Sequence, residues 1–358
     1  MNADCLKLTT YFGERDRTPK GLLADELAGI YGAHGVQASV LLRGAEGFGR
    51  LHHARTDRLL TLSEDLPVVS IAVDTRERIE SLLDSVLRLE RRGLITLERA
   101  RLLSGDVGTV ELPEQLVEAT KLTVYVGRRG RPREAPPFVA VCDLLHRRGI
   151  AGATALLGVD GTKGGRRARA RFFAGNADVP MMVVAVGSGE RIARVLPELG
   201  ALLCEPLLTL ERVRLCKRDG ELLATPHELP GTDEHGLALW QKLMIYTSHA
   251  ATHDGRPLHM EIIRRLRESD AAGATAVRGM WGFHGEHAPH GDKFFQVRRH
   301  VPVVTIAIDT PERTARSFAI VDELTGEHGL VTSEMVPAMS AMSETEQRGG
   351  LRLANHDF

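Results

Sequence analysis

The chain has 358 residues, 43% of them hydrophobic and 26% charged, with 46 Lys and Arg against 47 Asp and Glu. That length suits two or three domains rather than one, and the composition excludes a disordered chain. The balanced charge gives no global field for nucleic acid, so any electrostatic function must be local.

In chain order, the first predicted element is a strand from Leu6 to Phe12, followed by a loop with Gly13 and Pro19. Leu23, Leu27, Ile30 and Tyr31 then fall on one face of a helix. A second strand covers Val36 to Leu42 and leads into a long loop from Arg43 to about Arg58. A third strand runs from Val68 to Val73. Asp74-Thr75-Arg76-Glu77 reads as a helix start, with Asp74 or Thr75 capping. Leu82, Leu83, Val86 and Leu89 form that helix's apolar stripe, Gly93 ends it, and Leu94 to Leu102 make a last strand.

The same unit then returns twice. Lys7-Leu8-x-x-Tyr11 reappears as Lys121-Leu122-x-x-Tyr125 and as Lys242-Leu243-x-x-Tyr246, at steps of 114 and 121 residues. Gly44, Gly158 and Gly279 keep those steps. Pro67-Val68-Val69 returns as Pro180-Met181-Met182 and Pro302-Val303-Val304. The run Thr96-Leu97-Glu98-Arg99 is matched by Thr209-Leu210-Glu211-Arg212, and the third copy keeps Thr332 and Glu334. The copies span 5–104, 119–218 and 239–342, joined by polar linkers rich in Gly and Pro, and the tail 343–358 is expected to be a frayed, flexible segment.

Each copy therefore reads β-α-β-β-α-β, an α+β, ferredoxin-like order. Its strands carry apolar residues on both faces. The helices cover one face, and three copies around an axis would bury the other. The expectation is an intramolecular pseudo-trimer, monomeric as a chain, in which tethering replaces association.

The strand with Lys7-Leu8-x-x-Tyr11, Arg43-Gly44-x-x-Gly47-Phe48-Gly49 and Leu62-Ser63-Glu64-Asp65-Leu66-Pro67-Val68-Val69 resembles the PII-like domain-of-unknown-function family numbered 190. The third copy keeps Arg278-Gly279-x-x-Gly282-Phe283; the second, with Gly158-Val159-Asp160-Gly161, is the most divergent. The resemblance implies ferredoxin-like units packed as a trimer with sheets inward and long loops projecting. It further implies sensing of a small ligand, often an adenine nucleotide, in clefts between units, and regulation of a partner such as a membrane channel or transporter. Fold alone does not fix any of that.

The long loops carry the candidate ligand residues. Copy one offers Arg43, Gly44, Gly47, Phe48, Gly49, His52 and Arg58, and copy three offers Arg278, Gly279, Gly282, Phe283, His287 and Lys293. These two copies align at a constant step of 235, pairing His52 with His287 and Arg58 with Lys293, and Arg171 holds the corresponding place in copy two. A cation at the base of each loop suits a phosphate or carboxylate. The glycines would let backbone N–H groups approach an anion. The alternative reading is a set of solvated basic loop tips. Phe48 and Phe283 either tuck back onto their own unit or stack on a ligand or partner.

His284, His287 and His290, with His249, His253 and His259, raise a second hypothesis of a metal site, although no carboxylate or cysteine pattern completes one. The four cysteines, scattered without CxxC spacing, read as buried apolar residues of a reducing compartment. The sequence from Met1 to Cys5 lacks the basic and apolar regions of a signal peptide, and no apolar run approaches the ~18 residues of a membrane span. A cytoplasmic location is expected. No nucleophile elbow, Walker loop or HExxH is present, and the Asp65 place is taken by Asp178 in copy two and by His300 in copy three, so the acid is not shared by all three. The reading is a non-enzymatic regulator without a catalytic residue, cofactor or nucleic-acid partner, the other alternative being a ligand-independent adaptor.

Overall fold

The computed structural model describes residues 2–49, 54–56, 65–89, 92–110, 118–128, 135–170, 178–284, 289–291, 301–326, 328–342 and 346–356. Unit one comprises β1 (Asn2–Gly13), α1 (Leu23–Ala33), β2 (Ala38–Arg43), β3 (Glu46–Phe48), β4 (Ala54–Thr56), β5 (Pro67–Thr75), α2 (Arg76–Leu89) and β6 (Gly93–Ser104). Unit two comprises β7 (Thr120–Gly127), α3 (Pro137–Arg147), β8 (Gly152–Lys163), β9 (Arg166–Arg169), β10 (Pro180–Gly187), α4 (Gly189–Leu202), β11 (Leu207–Arg212) and β12 (Arg214–Arg218). Unit three comprises β13 (Trp240–Ser248), α5 (Leu258–Glu268), β14 (Ala274–Arg278), β15 (Trp281–His284), β16 (His290–Gly291), β17 (Pro302–Asp309), α6 (Pro311–Leu324), β18 (Leu330–Val336) and β19 (Ala338–Met342), followed by β20 (Gln347–Gly350).

Within each unit the strand order is the same. Unit one pairs β2 with β5, β5 with β1 and β1 with β6, all antiparallel. Units two and three repeat this as β8-β10-β7-β11 and β14-β17-β13-β18. Alternation along these strands sends one set of side chains to the helices and the other to the centre. Leu6, Leu8 and Phe12 meet Leu27, Tyr31 and Leu82 under the helices of unit one. The opposite faces meet one another: Val40, Val69 and Val73 of unit one share a cluster with Met182 and Val184 of unit two and with Met244 and Val304 of unit three.

Two belts of strand pairing join the units in a cycle. In the first, β2 pairs with the second half of β8, the first half of β8 pairs with β15, and β14 pairs with β3. In the second, β6 pairs with β11, β12 with β18, and β19 with the first half of β6. Every unit therefore touches both others, and the cycle closes on unit one. Residues 46–48 and 54–56, expected as loop, are paired strands, because the chain leaving β2 reaches the edge of unit three.

Three of the four cysteines are buried and Cys204 is exposed; burial pushes the Cys216 thiol up to about 12. Residues 346–356 of the tail, expected to fray, are anchored instead. Strand β20 pairs with β19, Leu351 and Leu353 pack on the outer core of unit one, and the Asn355 N–H donates to Asp233 Oδ2 at 2.9 Å. Among the described residues no helix is long and apolar enough to cross a membrane.

Candidate functional site

Lys7 lies on the inward face of β1, between Cys5 and Thr9, where a charge has no solvent to meet. Its cross-strand partner in the register is Glu98 on β6. The same pairing recurs as Lys121 with Glu211 and Lys242 with Glu334, with N–O distances of 3.2, 3.1 and 2.9 Å. Each lysine also reaches the glutamate of another unit: Lys7 to Glu211, Lys121 to Glu334 and Lys242 to Glu98. Six alternating charges thus form a closed ring in which every ammonium touches two carboxylates. The side chains are 3–9% exposed.

Burial alone would push the Lys7 ammonium down, but Glu211 and Glu98 outweigh it and hold the group well above the ordinary lysine range. Lys242 is likewise raised against burial by Glu334 and Glu98. At Lys121 burial prevails over Glu211 and Glu334, helped by the nearby Lys242 and Lys7 charges, and the ammonium is pushed down. Burial favours the protonated forms of Glu98 and Glu334, yet the lysines hold both carboxyls below the ordinary range, Lys242 acting most on Glu98 and Lys121 on Glu334.

Ligand atoms of Glu98, Glu211 and Glu334 lie within 4.8 Å of one another. That spacing would suit a metal ion, but three ammonium groups already occupy the carboxylates, and a divalent cation would add to their charge. Among the described residues no histidine joins such a group. His249 and His259 have ring centroids 5.3 Å apart, and His287 lies outside the described residues.

The seams hold several glycines and both phenylalanines of the loops read from the sequence. The Gly44 N–H donates to Pro67 O at 2.7 Å and the Ala45 N–H to Ala276 O at 2.8 Å. Gly279 and Met280 repeat this with Pro302 O at 2.7 Å and Ala155 O at 2.9 Å. These amides are spent on backbone pairing, so Gly44 and Gly279 do not offer theirs to the anion cradle expected of the glycine turns. The glycines serve close approach of backbones instead. A Cβ on Gly47 would lie 2.7 Å from Ala274 O, and one on Gly279 would lie 2.7 Å from Pro302 Cγ. A Cβ on Gly282 would run into the carbonyl oxygen of Ala153, and one on Gly158 into that of Pro180. Gly49 is exposed with open space around it.

Phe48 and Phe283 neither tuck onto their own unit nor present a face for stacking. Phe48 is 4% exposed in the core of unit three, beside Leu258 and Ile262. Phe283 is 2% exposed in the core of unit two, with the His146 ring edge-on at 5.0 Å. Each is a plug delivered across a seam, and a buried ring cannot receive a ligand. Unit two has Thr162 at the matching place. Its hydroxyl lies 2.9 Å from Ser39 Oγ, and the adjoining seam is polar. There Asp160 accepts two bonds from Arg167, at 3.0 and 2.6 Å, while the Arg167 stem packs over Gly32 of α1.

Arg43 is exposed and pairs with Glu14 at 2.9 Å; Arg278 is also exposed. His52, Arg58, Arg171 and Lys293 lie outside the described residues. A small cavity at the seam of units two and three, between Thr154, Tyr246, Phe283 and Leu330, has room for about one water molecule. A nucleotide would enter there only if the seam parted.

Three related α/β units joined by strand pairing around a buried ionic centre define a tandem-repeat protein. The chain belongs to the family DUF190, an uncharacterized ACR, whose model matches residues 5–102, 119–215 and 240–338. A curated relative, the UPF0166 protein of Aquifex aeolicus (strain VF5), is 34% identical over 95 residues, covering 26% of this chain and 88% of that protein. The crystal structure of aspartate kinase from Synechocystis matches with a TM-score of 0.24 at 11% identity, covering 95% of this chain and 45% of that one. This chain thus spans less than half of that kinase's length, and a likeness that low carries no argument.

Proposed function

We propose that the chain is a non-enzymatic, PII-like regulatory scaffold, a pseudo-trimer of three ferredoxin-like units. It holds three unlike loops at equivalent seams around a rigid centre. The observation that carries this reading is the cyclic strand pairing closed on the Lys–Glu ring. That arrangement fixes the loop bases while leaving the loop sequences free to differ. An anionic small molecule, an adenine nucleotide being one candidate, would be held by the loop cations Arg58, Arg171 and Lys293 with His52 and His287, since the Gly44 and Gly279 amides are spent. The loaded loops would then act on a cytoplasmic face of a partner such as a membrane channel or transporter.

The test is calorimetric titration of the full chain with adenine nucleotides. Fewer than three sites are expected, because the loops differ, and Arg58→Ala and Lys293→Ala should each weaken binding about tenfold or more, the loss expected of a charge-assisted contact. Titration without heat or thermal shift for any nucleotide or other anion would overturn the ligand reading. The occupied Gly44 and Gly279 amides favour one second reading, a ligand-independent adaptor. For it, partner binding would persist unchanged when nucleotides are added or withdrawn.

A further inference from the structure

Strand β9 returns from β8 through Gly164 and Gly165, whose φ angles of 56° and 76° fit the two-residue turn that matches strand twist. The Ala170 N–H donates back to Val159 O at 2.9 Å. Backbone direction alternates along an antiparallel strand, so Arg169 and Arg167 turn their N–H and C=O groups away from β8. Among the described residues no strand pairs with that outer edge. The matching strands β4 and β16 have 3 and 2 residues against 4 in β9.

The geometry points to the outer edge of β9 as a docking edge for an extended acidic segment of a partner protein, which adds as one more strand. Three of the four residues of β9 are arginines. Arg166 is exposed and has no ion pair among the described residues. The Arg169 side chain lies against two carboxylates, Asp25 at 3.0 Å and Asp160 at 3.8 Å, yet is 55% exposed, so part of its guanidinium still faces solvent. Asp160 fixes Arg167 and, with Asp25, offsets Arg169, which steadies the strand and leaves Arg166 as the charge that chooses the partner. A second copy of this chain would set arginines against arginines, and like charges directly opposite one another destabilise a strand pair. An acidic strand meets no such penalty. The inference needs neither the small anion nor the loop tips, so it stands or falls apart from the preceding reading.

Backbone pairing and charge can be tested separately on the full chain by fluorescence anisotropy with a labelled peptide of alternating Glu and Thr. It should bind about tenfold or more tighter than a Lys–Thr peptide of equal length, a difference of roughly 1.4 kcal/mol. Arg169→Pro removes one outward N–H at a place where an edge strand accepts proline, whereas Arg169→Ala removes only the side chain. The proline variant should bind about tenfold more weakly than the alanine variant. Methylating alternate amides of the peptide should abolish binding in the unaltered chain, a result that needs no variant to fold. Arg166→Glu should reverse the preference between the two peptides. Equal affinity of the proline and alanine variants, or undiminished binding of the methylated peptide, would overturn strand addition. Equal binding of both peptides, or no reversal by Arg166→Glu, would overturn the choice of an acidic partner.

Discussion

Each ammonium at the centre touches two carboxylates from different units, so no single replacement in the ring is local. Glu211→Gln would leave Lys7 and Lys121 buried with one carboxylate each. Breaking a buried ion pair from one side costs about 3–5 kcal/mol, and denaturant unfolding should show that loss with an unchanged m-value. Replacing all six charges together by Met and Leu should be close to neutral, because the desolvation of the ions disappears with their attraction. The pH dependence follows from the directions of the shifts. Glu98 and Glu334 sit below their usual value of 4.5, so they stabilise the fold above that value and lose the effect as pH falls through their folded values. Lys7 and Lys242 sit above 10.5, so their contribution is present below it and is lost as pH rises further. Lys121, pushed down, carries the opposite sign on the alkaline side. The clean comparison is therefore acidic: the native ring, close to the six-residue apolar variant in stability near neutral pH, should become progressively less stable than that variant below about pH 4.5. The recurrence of Lys and Glu in apolar strands was legible in the sequence. Their contact across units was not, because it depends on which strand edges meet.

Between elements, the seams differ in chemistry. Phe48→Ala and Phe283→Ala each empty a buried aromatic site, and each should cost about 3–5 kcal/mol in denaturant unfolding. Thr162→Ala at the third seam loses one hydroxyl contact with Ser39 and should cost only about 1 kcal/mol. Helices and strands were legible from periodicity, since Leu27, Leu82 and Val86 are buried as their spacing requires. Periodicity reports that a residue is buried, not which unit buries it, so the two phenylalanines were assigned to the wrong alternatives. The glycines misled for a related reason. A Gly-x-x-Gly run looks alike whether a ligand or another backbone approaches it, and only the partners of Gly44 and Gly279 separate the two. In the tail, Leu351 and Leu353 are too few to signal packing by themselves, and their seat on unit one becomes visible only when β20 pairs with β19.

At the scale of the whole molecule, the threefold repeat was plain in the sequence, and the apolar residues on both strand faces already required a second buried surface. What the repeat leaves open is whether the edges meet within one chain or between chains, since every pairing across a seam could be satisfied either way. The linkers tilt that balance through high local concentration, and the tail on unit one adds a further tie. The direct test is light scattering coupled to size exclusion, with small-angle scattering on the same peak. The account predicts a mass of 39.2 kDa and a radius of gyration of roughly 21 Å, the value for a compact chain of this length. A stable species of two or three times that mass would contradict it, as would a single chain with a radius well above that value, because either would mean that the units do not close on one another within the chain.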